Sequence, residues 1–177
     1  MMGSMLLAVA APASSSALAR LVEPWAHLYA DSKVIATIVT FGHIASLLMA
    51  GGLAVATDRA TLRALRLAAE ERGRHLEDLS GVHRLVVGGL TLSVVTGILL
   101  FASDVETFIG SWIFWLKMGM ICVLLVNGYA MTRAEGALRV DAAESSPAWG
   151  SLRRTALTSV GLWYAITLAG VALANVA

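Results

Sequence analysis

The chain has 177 residues, 58% of them hydrophobic and 14% charged, with a formal net charge of +1 and a mean hydropathy of +0.75. This balance is far more apolar than that of a water-soluble domain and excludes a basic surface built for nucleic acid. A single cysteine, Cys122, excludes an intrachain disulfide framework.

Residues 1–32 form an N-terminal segment that divides in two. Residues 1–19 resemble a weak signal peptide, with an apolar run from Met5 to Pro12 and an Ala17-Leu18-Ala19 triplet, but no positive residues precede the run. Leu18, Leu21, Val22, Trp25, Leu28 and Tyr29 then recur at helical spacing opposite Arg20, Glu23, His27 and Asp31. That pattern predicts an amphipathic helix lying in a membrane interface, started or kinked at Pro24, and it is favoured here over cleavage of the segment.

Residues 33–177 carry four apolar stretches, at about 34–57, 85–103, 109–132 and 155–176. Each has the roughly 20 residues needed to cross a hydrocarbon core about 30 Å thick. The fold class predicted is all-α, a four-transmembrane-helix antiparallel bundle preceded by the amphipathic helix. The connector between the first two spans holds Arg59, Arg63, Arg66, Arg72, Arg74 and Arg84, and that between the last two holds Arg133, Arg139, Arg153 and Arg154. Only Arg20 and Lys33 fall on the other side, so the excess of positive charge predicts an inner-membrane protein with both termini on the periplasmic or external side. Asp104 and Glu106 then form an external acidic turn. Small residues should let the spans approach: Gly89, Ser93 and Gly97 in the second, Gly161, Ala165 and Ala169 in the fourth, and Ala36, Thr40, His43 and Ala50 in the first.

Polar residues inside the spans are costly and therefore informative. At about 1.5 Å per residue, His43 lies about 15 Å and Lys117 about 12 Å below the outer surface. Ser93 and Thr96 of the second span and Tyr164 and Thr167 of the fourth fall at similar depth, so all four spans contribute to one polar layer. Lys117 has two readings: a buried role, or snorkelling toward Asp104 and Glu106 between the interfacial anchors Trp112 and Trp115. His43 is too short to escape. It either bonds a hydroxyl of a neighbouring span or ligates haem or a metal. His83 sits at the Arg-rich end, His75 in the Arg-rich connector and His27 on the amphipathic helix, so none reaches the level of His43. Cys122, Met118, Met120 and Met131 fit packing better than soft-metal binding.

The run from Phe41 through His43 to Gly52, followed by Asp58-Arg59, resembles the first span of small bacterial four-helix membrane proteins of unassigned function. Thr96-Gly97-Ile98-Leu99-Leu100, Trp115-Leu116-Lys117 and Asn127 resemble their second and third spans. More distantly, the chain is similar to the copper resistance protein D family and to membrane cytochrome b-like bundles. The resemblance implies a four-span bundle with His43 and Lys117 as its matching polar positions.

No nucleophile is joined to a base anywhere in the sequence, so a non-enzymatic accessory or ligand-binding bundle is expected. Its site would comprise His43, Lys117, Thr96 and Tyr164, with haem b or a copper-type ion as ligand and His43 as the metal ligand. The alternatives are a structural or assembly subunit among other membrane proteins and a small transporter. The bilayer is the expected partner in every case. This site requires the first and third spans to be antiparallel neighbours in register, side by side, so that imidazole and ammonium meet.

Overall fold

The computed structural model describes residues 17–140 and 146–176. The signal-like residues 1–16 and the side chain of His75 lie outside what is described. No strand occurs among the described residues, which form six helices: α1 (Ala17–Asp31), α2 (Lys33–Ala64), α3 (Ala69–Ser103), α4 (Val105–Gly110), α5 (Trp112–Val140) and α6 (Pro147–Val176). α2, the Gly81–Ser103 part of α3, α5 and the Pro147–Asn175 part of α6 are long and apolar enough to cross a membrane. Most of that apolar surface faces outward. Only 11% of the most apolar stretch of α5 is buried inside the protein, rising to 33% in α6. Such spans are stable where lipid, not water, meets Ile38, Phe41 and Leu48 of α2 or Val94 and Ile98 of α3.

α2 packs chiefly on α3, and α5 on α6, while α6 also packs on α2. α2 and α5, the first and third spans, share no comparable face, because α6 contacts both. This departs from the side-by-side placement expected of them, and their polar side chains meet only across the space they enclose. Close approach is permitted at particular glycines. A Cβ on Gly89 would lie 2.9 Å from the Cβ of Ala50, and one on Gly51 would lie 2.8 Å from the indole of Trp163. The stripe expected at Gly161 is not a contact face: nothing stands within 4 Å of a Cβ placed there. α6 instead turns Trp163, Ile166, Ala169 and Leu173 inward, where the first two pack with Ala50 and Leu124 and the last two with Ile113.

α1 is tied to the spans at one end. The Trp25 indole N–H donates to the carbonyl of Leu99 at 2.8 Å, and Tyr29 Oη lies 3.0 Å from Thr40 Oγ1. Ser32 breaks the chain between α1 and α2, its hydroxyl accepting from the Ile35 N–H. The turn between the second and third spans contains a short helix, since Asp104 caps α4 by accepting from the Thr107 N–H at 3.2 Å, so the third span begins at Trp112, three residues later than expected. At the opposite, Arg-rich end, α2, α5 and α6 continue as helix beyond the apolar stretches read from the sequence. There Met131, Ala134, Leu138 and Leu152 make a separate buried cluster.

Candidate functional site

His43 is positioned by α2 and oriented by α3. Its Nδ1 lies 3.1 Å from the Ser93 carbonyl and 3.2 Å from Thr96 Oγ1. The Thr96 hydroxyl donates to the Leu92 carbonyl at 2.7 Å, which leaves its oxygen only the role of acceptor toward the imidazole. A carbonyl can only accept as well. The proton therefore sits on Nδ1, shared between two acceptors, and the neutral ring presents an unshared electron pair at Nε2. Nε2 has no hydrogen-bond partner among the described residues. Gly97 makes the ring's close seating possible: a Cβ there would lie 3.3 Å from the imidazole Cε1.

Lys117 is positioned by α5. Its Nζ reaches α6, 3.5 Å from where a Cβ on Gly170 would be. Asp104 is engaged as a helix cap, and no ion pair joins Lys117 to any described carboxylate. Lys117 thus rests against α6 and pairs with neither Asp104 nor Glu106.

Two cavities flank this pair. One of about 580 Å³ lies between α2 and α6 and is lined by Thr40, Gly51, Tyr164, Thr167 and Gly170 among others. The second, about 350 Å³, lies toward α3 and α5, with Ser93, Gly97, Phe101, Phe108 and Phe114 in its wall. His43, Leu47, Lys117, Trp163 and Ile166 line both. The imidazole and the ammonium thus form part of a partition between two mostly apolar spaces. Among the residues expected at the site, Thr96 acts through its bond to His43, and Tyr164 stands at the rim of the larger cavity, 66% exposed.

Among the described residues, no other histidine joins His43. His83 Nδ1 lies 3.7 Å from Glu135 Oε2 at the Arg-rich end, and His27 lies 3.6 Å from Glu23 on α1. Cys122 is exposed. Among the described residues there is no group of three or more His, Cys, Asp or Glu side chains able to hold a metal ion. The expectation of a haem or copper site therefore gains no support from a second protein ligand beside His43.

A second polar region was not anticipated. Asp58 of α2 and Glu135 of α5 are 3% and 4% exposed, although both were read as belonging to connectors. Asp58 hydrogen-bonds Ser159 of α6, and Glu135 lies within electrostatic range of Asp58 and Arg139. One oxygen of each carboxyl group, Asp58 Oδ2 and Glu135 Oε1, has no hydrogen-bond partner among the described residues. A signal for this was present in register. Leu124, Met131 and Leu138 are buried at seven-residue intervals and Glu135 falls on the same stripe, four residues after Met131.

No protein-family model, curated protein or solved structure matches this chain. Its reading rests on the site itself.

Proposed function

We propose that this protein is an antiparallel four-span bundle of an inner membrane that holds a small ligand at His43 and Lys117. α1 lies along the outer interface in this reading, its exposed Leu18, Leu21 and Leu28 toward lipid, and both termini are external. The arginine excess at the opposite end supports that orientation. The observation that carries the ligand reading is the orientation of the imidazole. With Nδ1–H held by Ser93 and Thr96, Nε2 keeps its free pair, and His43 and Lys117 line the same cavities. Locking one ring nitrogen to a backbone carbonyl is how proteins aim the other at a metal or an acidic proton. The ligand needs a group that takes the Nε2 electron pair and an oxygen that accepts from Nζ.

Haem b has both, in its iron and its propionates, and is the cofactor form of this proposal, in keeping with the distant likeness to cytochrome b-like and copper resistance D bundles. A copper-type ion would need donors from the ligand or water in addition to His43. Purification in mild detergent, followed by visible spectroscopy, metal analysis and mass spectrometry of extracted small molecules, tests the reading. A molecule or metal that co-purifies with the wild type and is lost from both His43→Ala and Lys117→Met is the expected result. A folded wild type carrying nothing, and taking up neither haem nor lipid when supplied, overturns it.

A further inference from the structure

The rims of the two cavities point to where a ligand comes from. The cavity between α2 and α6 is bordered by Ile44, Leu48, Tyr164 and Val171, all more than half exposed, and the one toward α3 and α5 by Val94, Ile98 and Leu125, also more than half exposed. These residues lie on helices long and apolar enough to cross a membrane, so their exposed faces meet acyl chains. Both openings are therefore sideways, into lipid. No Asp, Glu or Arg lines either cavity, and Lys117 is the one charged residue in both walls.

That ammonium is a cation within an apolar wall, with no carboxylate paired to it among the described residues. Isolated charges at such positions are costly and are matched by an anion or an oxygen acceptor. Long Lys side chains relieve this cost by snorkelling to the interface, but here Nζ is turned onto Gly170 of α6. His43, in the same two walls, keeps a free electron pair on Nε2. We propose that the site takes a single-chain lipid with a carboxylic acid headgroup, admitted laterally from the bilayer through the cleft between α2 and α6. The acid O–H donates to Nε2 of His43 and the acid carbonyl accepts from Nζ of Lys117, with no covalent bond made or broken. The chain lies along the apolar wall formed by Leu47, Leu48, Gly51, Gly52 and Val55. Gly52 adds no side chain to that wall, where a Cβ would meet nothing within 4 Å, and Gly51 seats the Trp163 indole, which a Cβ there would approach to 2.8 Å. A volume of about 580 Å³ is ample for a ligand of this kind, pockets for small molecules spanning roughly 300–1,000 Å³.

This inference rests on the proposed site and names its ligand class. The test uses the full chain in phosphatidylcholine nanodiscs and a photoreactive diazirine analogue of palmitic acid, with the alcohol of equal chain length as competitor. The acid probe is expected to label the α2 and α6 peptides bordering the cleft, unlabelled palmitic acid to displace it, and the alcohol to compete roughly tenfold less well, the loss of one charge-assisted hydrogen bond. Lys117→Met and Lys117→Gln should both abolish the preference for acid over alcohol while remaining monodisperse. Equal competition by the alcohol overturns the inference, as does full acid preference in both Lys117 variants. If acid labelling fails but a haem absorption band or another bound molecule disappears with His43→Ala, the site stands and the acidic-lipid assignment falls. If nothing binds, both fall.

Discussion

The two polar regions of this protein face opposite circumstances. At one end an imidazole and an ammonium stand in the walls of two cavities, neither paired with a carboxylate among the described residues. At the Arg-rich end two carboxyl groups are packed between helices, and neither lines either of those two cavities. Their neighbours are protein groups: Ser159 for Asp58, and His83 and Arg139 for Glu135. Polarity within a span is thus not by itself the mark of a binding site. What distinguishes the His43 region is that its unmet valences are accessible, whereas those of Asp58 and Glu135 are enclosed by α2, α5 and α6 and bear on how these helices sit against one another.

Substitutions that separate access from packing sharpen this contrast. The largest effect is expected at Gly89, where a Cβ would press on both the Cβ and, at 3.3 Å, the backbone nitrogen of Ala50, so that α3 must move off α2. Gly89→Ala should destabilise the protein by about 1–3 kcal/mol, read as a lowered midpoint of unfolding in detergent. Asp58→Ala strips the partner from buried Ser159 and should cost roughly 1–2 kcal/mol, whereas Asp58→Asn keeps an oxygen for that hydroxyl and should cost less than about 1 kcal/mol. Equal losses for the two would show that the Ser159 bond contributes nothing. Trp25→Phe keeps the apolar ring but deletes the bond to Leu99, and should cost about 0.5–1.5 kcal/mol and increase proteolysis within α1. Lys117→Met belongs at the other end of the scale. It replaces a cation without an ion-pair partner by an apolar side chain of similar length, so the thermal midpoint should hold or rise even as ligand binding is lost. A clear fall in stability would instead make Lys117 a packing residue and erase the contrast.

Much of this was legible along the chain. Apolar stretches of sufficient length announced the four helices long enough to cross a membrane, and His43 and Lys117 stood out in them as the ionisable residues far from the helix ends. The misreadings share a cause. Asp58 and Glu135 were assigned to connectors because hydropathy falls where charges begin, yet a helix does not stop for a polar residue that finds partners. Both continue the buried stripe of their helix for another turn or more. Gly161 was read as a contact because small residues permit approach, but they do not compel it. Bulky Trp163 and Ile166, two and five positions on, define the packed face of α6 instead.

By itself the sequence determined the number of long apolar helices, the concentration of arginine at one end and the place of each polar side chain along its helix, because these depend only on what lies at each position along a helix axis. The tertiary structure decided which helices are neighbours, that α6 rather than α5 lies against α2, which nitrogen of His43 is spoken for, and that Lys117 turns inward. Those are questions of rotation about each axis and of contacts between distant parts of the chain. They are settled when glycines, indoles and hydroxyls from separate helices fit together.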